Sequence, residues 1–523
     1  MKKYIISRRK YLLGRNSVLS QGIAFYIVLA ILLLPYYQHQ INPDGISYIS
    51  ISQKYIHHDY HNAINGYWGP LLSWLLIPFL YIGLKPLLSV KLLSLTIGLF
   101  TVIQSYSLFR KLNIGRALRN VLLYLIAVIV IYFALSTISP DLLVVFLALT
   151  YLNTILETSY IDSKYAGVIC GFFGSLLYLS KAYGLPFFAF HFLIFNLIFI
   201  LRTKDKFDRI KISRNYITGM LIFTLISISW IFIISNKYGY LTIGTSGSFN
   251  HALVGPQSLG HPVHYMGLLA PSNNTAISIW EDISSLNVQD WSMFYSISSL
   301  KDQIFIIFKN IFYIAYLLET FSILSLVLLP AAIIYSLMKG RQIFYNNLFF
   351  LLVSLIVLFS GYTMFLISRR YIWLSNILII IIGAKLLEYL FNRISLNRIL
   401  KIITTGIFVA SFLLLPVVKL YTNLNSENYI FDINTKISQF DINGRIASDK
   451  NWHDSLYLSF YNGWQYYGER GRLNSLELET EFKEKMIDYY LVWETKNNWT
   501  KFLQSYDEIT NGKTDRIKIY KLK

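Results

Sequence analysis

The chain has 523 residues, 54% of them hydrophobic and 16% aromatic, with a formal charge of +19 at pH 7. Charged residues make up only 14%, against about 25% in an ordinary soluble domain, and they cluster between long uncharged runs of the length a bilayer core demands. This excludes a string of soluble domains, and it excludes nucleic-acid binding as the reason for the charge: cations between apolar runs orient spans and meet anionic lipid.

The basic segment from Lys2 to Arg15 precedes the first run, Gln21–Pro43. No small-residue cleavage site follows, so it reads as an uncleaved first span. Further runs are Leu92–Phe109, Asn120–Pro140, Leu142–Leu156, Tyr165–Ser180, Ala182–Leu201, Asn215–Asn236, Thr320–Met338, Gln342–Ser368, Tyr371–Ala384 and Ile402–Val418. They predict about eleven spanning helices. Basic clusters at Arg110–Arg119, Arg202–Arg214, Lys339 with Arg341, and Arg393–Lys401 all become cytoplasmic if the N-terminus is cytoplasmic. An odd number of spans then delivers the C-terminus to the outer face.

Three outer segments are long: about 38–91, about 237–308, and 420–523. This asymmetry points to work done outside the membrane. After residue 419 the chain becomes charged and mixed. Strand-like runs Arg445–Ser448, Tyr489–Trp493 and Ile517–Lys521 alternate with helical stretches Ser455–Tyr461 and Glu479–Ile487, which reads as a small α/β soluble domain over 420–523 behind an all-α membrane domain over 1–419. The single cysteine, Cys170, lies in an apolar run, so there is no disulfide framework.

Three cations break the orientation pattern: Lys181 in Tyr178-Leu-Ser-Lys-Ala-Tyr-Gly184, and Arg369 and Arg370 in Ser368-Arg-Arg-Tyr371. Ionisable groups near a membrane are costly and mark functional positions, and cations at the outer leaflet suit a lipid phosphate; the alternative is snorkelling to headgroups. Asp44, in Asn42-Pro-Asp-Gly-Ile-Ser-Tyr48, follows the first span directly. It suits a general base toward a hydroxyl and equally a helix N-cap. Asp141, in Ser139-Pro-Asp141, carries the same ambiguity at the mouth of the fourth span. His57, His58 and His61, with His57 and His61 on one helix face by spacing, and His251, His261 and His264 leave a divalent metal open, with no acidic ligand at a telling spacing. The aromatic residues, including Tyr67, Trp68, Trp280 and Trp291, read as an interfacial belt with sugar stacking as a second use. No Walker loop or dinucleotide fingerprint is present.

A first span followed by Asp44-x-x-x-Tyr48, an amphipathic helix and Gly66-Tyr-Trp-Gly-Pro-Leu71 resembles the GT-C superfamily of membrane glycosyltransferases, most of all the bacterial branch with protein mannosyltransferases and lipid A aminoarabinose transferases. Ser139-Pro-Asp141-Leu-Leu, Leu179-Ser-Lys181-Ala-Tyr and Arg370-Tyr371 are similar to later motifs of that branch. Asn250 through His261-Pro262 to Trp280-Glu-Asp282 is similar to its long outer loop. The resemblance implies a polyprenyl-phosphate sugar donor and an outward-facing site. Asp44 would be the catalytic base, and Lys181 and Arg370, with Arg369, would hold the donor phosphate. Gly45 stands where protein mannosyltransferases often carry Glu, which leaves the acceptor open among glycan, lipid and protein.

These expectations combine into an inverting glycosyltransferase of a bacterial inner membrane, with its C-terminal domain periplasmic. Asp44 and Asp141 are the expected catalytic residues, and Tyr48, Trp68, Tyr371, His261 and His264 line the substrate; no metal ligand is assigned. The competing readings are a lipid-linked oligosaccharide ligase or polymerase, and a transporter or flippase, which favours repeats and interrupted helices with midplane charges.

Overall fold

The computed structural model describes residues 2–523 except 287, 289–290, 340–341, 343–345, 494–497 and 515. Arg341, one of the cations used for orientation, lies outside the described residues. In chain order the helices are α1 (Lys2–Tyr37), α2 (Pro43–Ile56), α3 (Tyr60–Ala63), α4 (Pro70–Tyr81), α5 (Pro86–Lys111), α6 (Arg116–Ser136), α7 (Asp141–Ile155), α8 (Ala166–Ser180), α9 (Gly184–Arg202), α10 (Lys206–Tyr238) and α11 (Ser246–Ala252). They continue with α12 (Ile297–Phe321), α13 (Leu324–Met338), α14 (Asn347–Tyr362), α15 (Trp373–Arg393) and α16 (Arg398–Thr422). The C-terminal part holds α17 (Asn428–Ile437), β1 (Arg445–Ser448), α18 (Trp452–Asn462), β2 (Gln465–Glu469), α19 (Ser475–Glu484), β3 (Tyr489–Val492), β4 (Asp507–Glu508) and β5 (Lys518–Lys521).

The protein is an integral membrane protein of mainly helical fold with a small C-terminal sheet domain. Among the described residues, eight helices are long and apolar enough to cross a membrane, and five shorter apolar ones accompany them. The expected eleven spans therefore do not map one to one. Leu142–Leu156, Tyr165–Ser180 and Thr320–Met338 become helices of 15 residues each, below the roughly 20 that a perpendicular span needs. Conversely α12 qualifies as a span, although most of it falls inside the expected outer segment or in the gap behind it. Lys301, Asp302 and Lys309 hide it from a search for uncharged runs.

α15 lies at the centre: Ile377 through Ile382 are fully buried, as expected of a helix that is apolar all round. α1, α10, α12 and α16 instead expose large side chains such as Leu32, Phe232, Phe312 and Leu414, the belt that lipid covers. α8 meets α10 through Gly167 and Gly171. A Cβ on either would stand within about 2.1 Å of the α10 backbone at Asn215 or Gly219, the close approach that small residues four apart permit.

Alternate loops gather at one end. Lys111 pairs with Glu157, Lys211 with Asp162 at 2.7 Å, and Lys385 Nζ donates to Asn113 O at 3.4 Å. These contacts put the basic loops after α5, α9 and α15 on the same side, together with the acidic loop after α7, as the charge pattern predicts.

At the other end sits a five-stranded sheet of order β2-β1-β3-β5-β4. β1 is parallel to β2 and β3, and β5 is antiparallel to β3 and β4. The predicted strands at 445–448, 489–493 and 517–521 are present. β2 escapes prediction because Gly468 interrupts its short run, and β4 is only two residues long. The second outer segment joins this sheet: Ile277 O accepts from Tyr466 N–H at 2.7 Å, and Leu269 N–H donates to Tyr467 O at 2.6 Å.

Candidate functional site

Four charged side chains from four distant stretches meet at the end of the bundle below this sheet. Pro43 takes the first position of α2, where its missing N–H costs nothing, so Asp44 becomes the second helical residue. Asn42 precedes the helix, but its side chain ties to Ile138, accepting its N–H at 2.8 Å and donating to its O at 3.1 Å. The N-cap reading of Asp44 is therefore wrong: its carboxylate points across the bundle. Asp141 opens α7. Lys181 is the extended residue between α8 and α9, and Arg370 lies in the 3-10 turn Arg369–Ile372 that leads into α15.

The four form an alternating row. Arg370 Nη2 pairs with Asp44 Oδ2, Arg370 Nε lies 3.1 Å from Asp141 Oδ2, and Lys181 Nζ donates to Asp141 Oδ1 at 2.7 Å. Both carboxylates are about 95% buried. Each is matched by a cation, which is what makes burial of four charges tolerable. Lys181 also sits 3.2 Å from the centre of the Tyr371 ring, and Tyr371 stacks on Tyr362, so aromatic faces shield the ammonium.

The row forms one wall of a cavity of about 240 Å³, shared with Tyr48, Tyr67, Trp68, His261 and Trp280. The aromatic residues expected in an interfacial belt thus partly belong here. Trp280 indole N–H donates to Asp44 Oδ1 at 3.1 Å, a contact the sequence reading missed. Its neighbour Glu281 is fastened by Lys54, by Ser50 Oγ at 2.6 Å, and through its carbonyl by Asn65 at 2.7 Å. The Trp280 ring lies 5.1 Å from Trp452 of the sheet domain. Only the pairing of two outer segments with the sheet makes this position, and no spacing in the chain announces it.

His261 accepts the Val263 N–H on Nδ1 at 3.4 Å, which assigns the ring proton to Nε2. That Nε2 is buried without a hydrogen-bond partner on the cavity wall. Burial, with His264 nearby, pushes its pKa down to about 4, so the ring is neutral at pH 7. Two expected residues stand apart: His264 leaves the cavity to face Glu469 at 3.3 Å, and Arg369 lies near Tyr132 of α6 instead of joining the row.

Two glycines set the walls. A Cβ at Gly69 would stand 2.4 Å from Ser180 O, beside Lys181, and one at Gly45 would meet Ile138 at 2.8 Å. A glutamate at 45 has no room; the second acid of this site comes from Asp141.

The histidine groups do not assemble. α2 ends at Ile56, and His58 turns the chain at φ +61° before α3, so His57 and His61 do not share a helix face. His251 stacks on Trp291 at 4.4 Å and bonds Gln303. Among the described residues, no group of three or more His, Cys, Asp and Glu side chains is placed to hold a metal ion.

No protein-family profile and no curated protein sequence matches the chain. Solved structures do. ArnT from Cupriavidus metallidurans, bound to undecaprenyl phosphate, is 13% identical, with a TM-score of 0.56 over 95% of this chain and 97% of that one. The oligosaccharyltransferase of Archaeoglobus fulgidus, in complex with Zn and sulfate, is 12% identical, with a TM-score of 0.56 over 91% of this chain and 67% of that one. AglB of the same archaeon, in complex with an inhibitory peptide and a dolichol-phosphate, is 11% identical with a TM-score of 0.50 over 92% and 69%. At these identities the likeness is one of fold alone.

Proposed function

We propose that this protein is an inverting glycosyltransferase that moves one sugar from a polyprenyl-phosphate donor to an acceptor hydroxyl at the outer face of a bacterial inner membrane. In this reading the N-terminus is cytoplasmic and residues 420–523 form a periplasmic domain. The observation that carries it is the buried row Asp44–Arg370–Asp141–Lys181 on the wall of a small cavity. Relatives in fold solved with polyprenyl phosphates add weight.

The donor phosphate lies on Lys181 and Arg370 and competes with the two aspartates for them. As Arg370 turns toward the phosphate, Asp44 loses its counter-charge and becomes the stronger base. The acceptor O–H proton passes to Asp44, the acceptor oxygen bonds the anomeric carbon, and the bond from that carbon to the phosphate oxygen breaks with its electron pair. The charge that grows on polyprenyl phosphate meets the two cations already drawn to it. Asp141 holds both cations in register, while Trp280 orients Asp44.

The cavity beside the row is small, about 240 Å³, which suits one sugar ring rather than an oligosaccharide and favours this reading over a ligase. The charged row also lies at one end of the bundle rather than at the midplane, which disfavours a carrier.

The test is binding of a polyprenyl-phosphate sugar to purified protein, together with its transfer. Lys181→Ala and Arg370→Ala each weaken binding or slow transfer, and the double variant falls short of the sum because both act on one group. Arg370→Lys rescues only in part, since a point charge cannot reproduce the planar fork. Strictly additive losses, or full rescue by lysine, remove the phosphate assignment.

A further inference from the structure

The opposite end of the bundle carries a second site that the transferase reading does not use. α15 has 21 residues and so spans about 30 Å at ~1.5 Å per residue, close to the ~30 Å of a hydrocarbon core. Its first turn follows Arg370; its last turns reach the other leaflet. There a groove of about 1030 Å³ opens between α6, α15 and α16.

Its rim is basic. Arg116, Lys385, Arg398 and Lys401 line it, against a single carboxylate, Glu388. That carboxylate is already engaged: it accepts the Gly115 N–H and pairs with Lys385 at 3.0 Å. Arg116, Arg398 and Lys401 have no acidic partner among the described residues, so the rim keeps an uncompensated positive charge. The floor is apolar. Val121 of α6 faces Ile402, Val409 and Leu413 of α16, and at Gly406 nothing stands within 4 Å of a Cβ, leaving a notch in the helix face. From Arg398 to Leu413, α16 rises about 22 Å at ~1.5 Å per residue, the scale of one acyl chain, and the groove runs on into exposed apolar side chains such as Ile399 and Ile403.

We propose that this groove binds one anionic phospholipid of the leaflet opposite Asp44, its headgroup phosphate on Arg116, Arg398 and Lys401 and one acyl chain laid along Val121, Gly406 and Leu413. Basic pockets between helices on the cytoplasmic side recognise such headgroups by charge. A zwitterionic headgroup leaves the rim's charge unmet, and a soluble anion leaves the apolar floor bare.

The test reads lipid, not transfer, so its failure is separate from failure of the catalytic reading. The full-length protein is drawn from vesicles of mixed phosphatidylcholine and phosphatidylglycerol into mild detergent, and retained lipid is counted by native mass spectrometry. Wild type keeps one phosphatidylglycerol and releases phosphatidylcholine. Arg398→Ala with Lys401→Ala lowers that retention about thirtyfold. Gly406→Trp, which fills the notch and keeps every charge, lowers it as well, while Arg370→Ala at the other end keeps it. Monodisperse elution with unchanged helix content certifies each variant; the paired charge change, on a largely exposed helix face, decides alone if Gly406→Trp does not insert. Equal retention of both lipids by wild type overturns the proposal, and so does wild-type retention by the groove variants.

Discussion

Asp44 shows how little a residue's local surroundings in the chain say about its work. Asp before Gly-Ile-Ser fits a helix cap, yet Asn42 and Pro43 take the start of α2 and leave the Asp44 carboxylate to Arg370 and Trp280. Asp44→Asn keeps the size and the hydrogen-bond acceptor but cannot take a proton. The variant therefore inserts and elutes like wild type while transfer from a polyprenyl-phosphate sugar falls by about 10² or more; near-normal transfer refutes the base. Trp280→Phe removes one N–H from the same carboxylate and keeps the ring against Trp452. A hydrogen bond to a charged group is worth about 1.5–3 kcal/mol. If half of that is felt in the transition state, kcat falls roughly three- to twelvefold with donor binding little changed, which separates an orienting role from a phosphate contact.

At the scale of elements, the second outer segment and the sheet domain act as one body over the cavity. The segment lies along β2 through Leu269 and Ile277 and then turns Trp280 inward, while Glu281 anchors the turn to Lys54 of α2. Lys54 and Glu281 are almost fully buried, so Glu281→Gln leaves an ammonium with no matching charge. Removing one partner of a buried pair costs about 3–5 kcal/mol, which a thermal melt reads directly. Burial lowers the Lys54 pKa below that of the unfolded chain. Between those two values the unfolded state holds the extra proton, and stability of the variant rises with pH. Melts of Glu281→Gln that improve from pH 7 to pH 9 bear this out; a pH-independent stability shows that Lys54 finds water or another acid instead.

For the whole molecule the decisive quantity is sidedness. Loops after α5, α7, α9 and α15 share one end, and the Asp44–Lys181 row shares the other with the sheet domain. The only cysteine, Cys170, is buried, so single cysteines report cleanly. Lys204→Cys, in the basic loop, is expected to resist a membrane-impermeant thiol reagent in intact cells, and Lys436→Cys, on exposed α17, to react. Labelling of both from one side sinks the outward-facing site, whatever the number of spans.

The sequence by itself determined the membrane class, the gathering of basic loops, the small α/β tail and the identity of the four charged residues. Each of these rests on local or one-dimensional physics: apolar run length, charge between runs, alternation in short strands, and the rarity of ions beside lipid. Only the tertiary structure decided how those residues act on one another. Lys181 and Arg370 are nearly 190 positions apart, and both turn out to be paired with aspartates rather than held free; Arg369, beside Arg370, faces Tyr132 instead. A pairing over that separation is set by how helices pack, and a one-residue step in a turn sends neighbouring side chains to different helices. The same reason hid Trp280, whose partner Asp44 lies 236 positions away, and hid α12, whose charged side chains break an apolar run without breaking an apolar face.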